Sequence, residues 1–288
     1  MILLIGSTGY IGSQFVFELT QRQIDFVSIG RDSTSSYDLL LKNILDNKVE
    51  FVINAAGYVG KPNVDACESY KGETIEGNIV LPTLIAAVCR EAGINWGHVT
   101  SGCIYLGDNG GNGFTEDDDS NFCFSETPCS FYSGTKALSE KIIGEFGNCY
   151  LWRLRVPFDH IGGPRNYLTK IMSYDKLLKA RNSLSHRGDF VKACLDLVEQ
   201  EAPLGIYNVT NPGSVTTEEV VGLIKNILLP DRDFKYYLSD EEFYKENIAP
   251  RSSCVLNTNK LESSGVKIRP VLEALEDSLK RFHLIFCG

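Results

Sequence analysis

No run of apolar residues in the 288-residue chain approaches the ~20 needed for a helix to cross a bilayer, and the opening MILLIG carries neither a basic leader nor a cleavage site. A cytoplasmic protein without membrane association is therefore expected. Basic excess is missing too: 28 Lys and Arg against 37 Asp and Glu leave a net charge of −9, which argues against a general nucleic-acid binder, whose surface must be basic toward phosphates. Local donors can still bind a small anion. The nine cysteines include no CxxC pair and read as reduced, mostly buried thiols. The four histidines, His98, His160, His186 and His283, show no ligand spacing, and TEDDDS at 115–120 lacks the spaced oxygens and glycine of a calcium loop. No metal is expected, and no internal repeat is found.

What is present is an alternation of strand and helix. MILLIG runs through glycines into the helical spacing of YIGSQFVFELTQRQ. DFVSIG (25–30), VEFVINAAG (49–57), NWGHVTSGCIYLG (95–107) and CYLWRLRVPF (149–158) read as further buried strands, with helices at 78–93 and 130–147. Strands separated by helices predict parallel βαβ units and an α/β fold with a Rossmann-type doubly wound parallel sheet. Beyond 158 the rhythm loosens into a helix entered at GGPRNYLTKIMSYDKLLK, a helix at 188–200, a strand at 205–211 and the amphipathic TTEEVVGLIKNIL and PVLEALEDSLKRF. The expected division is a dinucleotide domain over 1–157, re-entered at 187–212, and a smaller substrate-binding domain over 158–186 and 213–288. The polar stretch 107–128 is too hydrophilic for core and reads as a loop near a site.

GSTGYIG follows the first strand and opens a helix, the context in which Gly6, Gly9 and Gly12 allow a tight turn and let a pyrophosphate reach the helix amides. At the end of the second strand stands Arg31, whose guanidinium suits a 2′-phosphate; Asp32 follows directly, so a solvated charge pair is the alternative. Tyr132 and Lys136 in FYSGTK share a helix face, where the ammonium can lower the phenol pKa and make it a proton donor to a carbonyl. Ser101 and Cys103 in TSGCIY, on a strand, would point to the same side.

Together GSTGYIG, NAAG, the serine of TSGCIY and YSGTK resemble the extended short-chain dehydrogenase/reductases. NAAGYVGKPNVDACESYKGETIEGN, TSGCIYLGD, SFYSGTKA, LRVP before GPRNYLTKI, NVTNPG and APRS narrow the resemblance to the nucleotide-rhamnose synthases, over residues 2 to about 262. The resemblance implies NADPH on Gly6, Ser7, Thr8, Gly9, Tyr10, Ile11 and Gly12, with Arg31, Asn54, Ala55, Ala56, Tyr132 and Lys136. It implies a reductase triad of Ser101, Tyr132 and Lys136. It also implies 3,5-epimerisation by Cys103 and Lys170 of a nucleoside-diphosphate 4-keto-6-deoxyglucose, UDP-linked or dTDP-linked, held by Asn166, Arg251 and Ser252. Cys103 as an inert thiol, Lys170 as an exposed helix lysine and the last three as ordinary polar side chains are the alternatives. A homodimer is implied, and a chain that begins on the cofactor strand leads one to expect a separate 4,6-dehydratase. The competing readings are a monofunctional dTDP-4-keto-rhamnose reductase, which would not need Cys103, and a regulatory subunit that binds NADP without catalysis.

Overall fold

The computed structural model describes residues 1–287, with side chains through Phe282; the side chain of His283 lies outside the described residues. All four residues of β1 (Ile2–Ile5) are buried, as a central parallel strand requires. The chain continues through α1 (Gly12–Gln21), β2 (Phe26–Ile29), α2 (Tyr37–Asp46) and β3 (Phe51–Asn54). Two short helices, α3 (Ala66–Ser69) and α4 (Lys71–Ile75), lead through a π-turn at Glu76–Val80 into α5 (Leu81–Glu91). Pro82 accounts for the wide turn, because it has no N–H with which to continue the regular ladder. Then come β4 (Asn95–Ser101), α6 (Phe131–Gly144) and β5 (Cys149–Leu154).

After β5 the chain leaves the sheet for β6 (Pro157–Phe158), α7 (Tyr167–Ser173), β7 (Lys176–Leu177), β8 (Arg181–Asn182) and β9 (Ser185–His186). It returns through α8 (Arg187–Glu199) and β10 (Gly205–Asn208), the latter pairing in parallel with β5. The remainder comprises β11 (Val215–Thr216), α9 (Thr217–Ile227), β12 (Lys235–Tyr236), α10 (Asp240–Glu246), α11 (Asn259–Ser263) and α12 (Val271–Cys287). TTEE at the head of α9 forms a capping box between Thr216 and Glu219.

The six-stranded sheet has the order β10-β5-β4-β3-β1-β2, with every pair parallel, so the expected doubly wound sheet is present. One face is packed by Phe15 and Leu19 of α1 and Phe190 to Leu197 of α8, the other by Leu40 and Ile44 of α2, Ile85 and Cys89 of α5 and Ile143 of α6. A separate apolar core unites Phe158, Leu168, Leu184, Val220, Leu275 and Phe282. A small cluster of Ile104, Tyr105, Phe114, Cys254 and Leu256 ties the long polar loop to the segment before α11.

Three differences from the sequence expectations bear on the site. Helix α2 has no counterpart among the predicted elements. The strand expected over 95–107 stops at Ser101, and the strand expected over 149–158 breaks between Leu154 and Pro157. Val156 there has φ +37, a left-handed conformation costly for a β-branched residue.

Candidate active site

Between β1 and β3 the chain order of the sheet reverses, and the carboxyl ends of strands at such a reversal are where open α/β sheets bind their ligands. Gly6 adopts φ +84, and a Cβ on it would lie 2.6 Å from the Ala56 amide nitrogen; a Cβ on Gly12 would lie 1.9 Å from the Gly6 carbonyl oxygen. Glycine is thus required at both ends of the turn. The N-cap of α1, Ile11, offers no side-chain cap, and while the Ser13 and Gln14 amides bond the Gly9 and Ile11 carbonyls, the positive end of the helix faces the glycine turn, where an anion is favoured. On the facing turn, Asn54 Oδ1 accepts from the Ala56 amide at 3.0 Å while its Nδ2 faces His98 Nδ1 at 3.1 Å. The wholly buried side chain of Asn54 therefore shapes the Ala55–Ala56 turn and does not reach outward. Tyr10 donates to Asp159 at 3.1 Å beneath the guanidinium of Arg187, linking the glycine turn to the segment after β6. Arg31 is exposed at the end of β2 and forms no ion pair among the described residues, which leaves it free for a phosphate. These features fit a nicotinamide dinucleotide carrying a 2′-phosphate.

Helix α6 is capped by Ser130, whose Oγ accepts from the Ser133 amide, and this fixes the first turn that carries Tyr132. Lys136, one turn on, is buried to 3 % exposure, and its Nζ would lie 3.5 Å from a Cβ on Gly57. Burial lowers Lys136 to about 8, against the pull of Glu140. Tyr132 moves the other way: burial pushes its phenol well above the usual range, Cys103 adds to this, and the Ser101 hydrogen bond and Arg155 oppose it. Lys136, expected to lower the phenol from one helical turn away, does not do so on balance, because desolvation drives it upward. A phenol that keeps its proton at neutral pH can still protonate a sugar alkoxide, which is the stronger base.

Ser101 ends β4, and its Oγ accepts from the Cys103 amide at 3.1 Å. Cys103 therefore comes beside Ser101 through a turn closed by that hydroxyl, not through strand alternation. Its sulfur accepts a hydrogen bond from Arg155 Nη1 at 2.8 Å. On α7, Lys170 is lowered from its ordinary value by burial and by Arg165 and Arg251, while Cys103 acts on it in the opposite direction. The thiol and the amine thus belong to one electrostatic neighbourhood with the phenol.

The residues expected on the sugar nucleotide divide. Asn166 is a correction: it is 0 % exposed, its Nδ2 donates to Asp159 and the Ile161 carbonyl, and its Oδ1 caps α7 at the Leu168 amide. Its polar groups are spent on the protein, and its effect is to hold the helix that carries Lys170. Arg251 forms a two-pronged pair with Asp65 at 2.8 and 2.9 Å, and Ser252 donates to the Tyr105 carbonyl at 2.6 Å. Both remain partly accessible. Sequence reasoning overlooked Arg155, Arg165, whose Nη2 donates to the Gly60 carbonyl at 2.7 Å, and Arg187. Arg155 and Arg165 stood inside the quoted LRVP and GPRN motifs, but nothing in the linear pattern said where their side chains would go.

Among the described residues no cluster of His, Cys, Asp and Glu could hold a metal ion, and no helix is long and apolar enough to cross a membrane. His98 bonds Asn54, His186 caps α8 and His160 meets Arg281.

The RmlD substrate binding domain family matches residues 1–284. A bifunctional dTDP-4-dehydrorhamnose 3,5-epimerase/dTDP-4-dehydrorhamnose reductase of Arabidopsis thaliana is 33 % identical over 97 % of this chain and 91 % of its own length. A trifunctional UDP-glucose 4,6-dehydratase/UDP-4-keto-6-deoxy-D-glucose 3,5-epimerase/UDP-4-keto-L-rhamnose reductase of the same plant is 32 % identical over 95 % of this chain, which spans only 40 % of that protein. The crystal structure of the L780 UDP-rhamnose synthase of Acanthamoeba polyphaga mimivirus superposes with a TM-score of 0.89 at 26 % identity, over 98 % of this chain and 99 % of that one.

Proposed function

This chain belongs to the RmlD substrate-binding family, and we propose that it is an NADPH-dependent 3,5-epimerase/4-keto-reductase that makes a nucleotide-linked L-rhamnose from a nucleoside-diphosphate 4-keto-6-deoxy-D-glucose. The oxidoreductase half rests on family membership together with the glycine turn, the uncapped start of α1 and the Ser101, Tyr132 and Lys136 set. Gly6 and Gly12 of that turn would hold NADPH, which would supply a hydride for C4. Tyr132 gives its proton to the C4 oxygen as the alkoxide forms, Ser101 hydrogen-bonds that oxygen, and Lys136 provides a nearby cation.

The epimerase half is carried by one observation: Cys103 sits beside this triad with its sulfur held by a buried guanidinium. Hydrogens at C3 and C5 are acidic because both carbons flank the ketone. One of Cys103 and Lys170 removes such a proton, leaving an enolate, and the other returns a proton to the opposite face. The lowered Lys170 can exchange protons closer to neutrality than an ordinary lysine. A plain 4-reductase would need neither group. UDP is the nucleotide proposed, in line with the name of the mimivirus relative. A 4,6-dehydratase would supply the keto-sugar, and the active form is proposed to be a homodimer.

Incubation with the UDP-linked keto-sugar in deuterated water without NADPH should place deuterium at C3 and C5, read by NMR. Addition of NADPH should then give UDP-L-rhamnose. Reduction without any deuterium at these carbons would leave a monofunctional reductase.

A further inference from the structure

Two arginines are buried among the described residues, both 3 % exposed and both on one strand or its immediate extension, yet their surroundings differ. Arg153 meets the carboxylate of Glu140 at 3.0 Å. Arg155 has no carboxylate within ion-pair distance among the described residues. Its Nη1 donates to Cys103 Sγ at 2.8 Å, its Nη2 donates to Asn182 Oδ1 and to the Ser252 carbonyl at 2.6 Å, and its buried Nε has no partner. A buried charge without a counter-charge is costly, and folds retain one only where surrounding structure holds it in place. Here Gly102 donates its amide to the Leu154 carbonyl at 3.0 Å, so the two segments that carry sulfur and guanidinium are hydrogen-bonded to each other. Cys254, Cys103, Tyr132 and Tyr167 all feel the charge of Arg155. Cys254 points its sulfur at the Gly102 carbonyl, 3.2 Å away, and Tyr167 bonds Thr217, which leaves Cys103 and the Tyr132 phenol beside the Ser101 hydroxyl.

We propose that Arg155 is the positioning residue of the epimerase half, orienting the Cys103 sulfur and supplying the counter-charge for it. This rests on the epimerase reading above. When Cys103 gives its proton to a substrate carbon, the S–H bond breaks, a C–H bond forms, and the electron pair left on sulfur faces Nη1. When the thiolate takes a proton back, that charge is discharged in place. The guanidinium remains protonated throughout, so its missing carboxylate is replaced by charge that appears only during turnover.

The test uses the full chain with Arg155→Met and Arg155→Lys beside the parent. Three rates are read: deuterium wash-in at C3 and C5 of the UDP-linked 4-keto-6-deoxyglucose without NADPH; NADPH-dependent reduction of UDP-4-keto-rhamnose already epimerised; and alkylation of Cys103 by iodoacetamide at pH 7, resolved by mass spectrometry from the other thiols. Arg155→Met should lose about 100-fold in wash-in, as for removal of a preorganised donor to developing charge. Reduction should fall at least about tenfold less than wash-in, and alkylation should slow about tenfold because the guanidinium that faces the reacting sulfur is gone. Arg155→Lys should recover part of wash-in and alkylation, since an ammonium keeps the charge but cannot reach sulfur, Asn182 and the Ser252 carbonyl together. Should the Met variant not fold, the Lys variant carries the test through the ratio of wash-in to reduction. Wash-in and reduction falling in parallel, or Cys103 alkylating at the parent rate, would overturn the role of Arg155. A parent protein without wash-in would instead overturn the epimerase reading and this role with it, whereas parental wash-in with an unaffected variant overturns only the role.

Discussion

Glu140 lies one helical turn beyond Lys136 and joins three buried groups: Arg153 at 3.0 Å, the Thr100 hydroxyl at 3.0 Å, and the field of Lys136 itself. Replacing it by glutamine keeps the shape and an accepting oxygen but removes the charge. Breaking a buried pair from one side costs about 3–5 kcal/mol because the surviving ion is left uncompensated, and the retained acceptor places Glu140→Gln near the lower end, about 3 kcal/mol. For a chain of this size that is a fall in Tm of about 6–12 °C. A second readout follows from catalysis. Glu140 raises the pKa of Lys136, which burial has already lowered to about 8, so removing the carboxylate moves the loss of the Lys136 proton to lower pH. The alkaline limb of kcat/KM for reduction should shift downward by about one pH unit, equivalent to ~1.4 kcal/mol of lost interaction. Calorimetry on Glu140→Gln, Arg153→Met and the double variant separates the pair from its members, the double being less destabilised than the sum of the singles. A cost below about 1 kcal/mol for Glu140→Gln would refute this reasoning, because a pair worth so little behaves as a solvated surface pair. So would an unmoved alkaline limb.

Tyr132→Phe should lower 4-keto reduction by about 10²–10⁴-fold while leaving deuterium wash-in measurable, and equal loss of both would mean that the phenol serves the epimerisation step as well. Gly12→Ala should abolish NADPH binding in a fluorescence titration and lower Tm, since its Cβ would lie 1.9 Å from the Gly6 carbonyl oxygen; retained affinity would show that the turn can open. Arg31→Gln should reduce the preference for NADPH over NADH by about tenfold or more in kcat/KM, and an unchanged ratio would assign the 2′-phosphate to other residues. Lys136 adds a stability effect whose sign is opposite to that of a paired lysine. Its value falls from 10.5 to about 8 on folding, so the unfolded chain binds more protons between these limits and stability rises with pH through that window. Relative to Lys136→Met, the parent should gain about 2 kcal/mol between pH 7.5 and 9.5 in urea unfolding; a constant difference would place the ammonium in a solvated setting.

The period of apolar residues determined the parallel sheet and most of the strand–helix alternation along the chain, because buried parallel strands leave a continuous apolar signal that local reading can detect. GSTGYIG was legible for a related reason: a turn between β1 and α1 without room for a Cβ leaves glycines at fixed spacing. Tyr132 and Lys136 followed from helix geometry, and Cys103 with Lys170 came from motif resemblance. Tertiary structure decided how these groups behave. Helix α2 escaped notice, and the strand ends at Ser101 and Leu154 depended on long-range contacts, among them the Gly102 amide on the Leu154 carbonyl. Asn166 looked like a polar contact in a loop, but burial turned it inward to cap α7. Tyr132 was expected to be drawn down by a cation four residues away, yet desolvation by the assembled core acts more strongly and in the other direction. Arg155 shows the limit most clearly. Local sequence identifies it as a charged residue on a strand, and only the meeting of segments around residues 103, 182 and 252 leaves that charge buried, free of a carboxylate among the described residues and in contact with a thiol. Sequence periodicity acts between near neighbours and so specifies elements; desolvation and charge pairing act between whatever the fold brings together, and so specify chemistry.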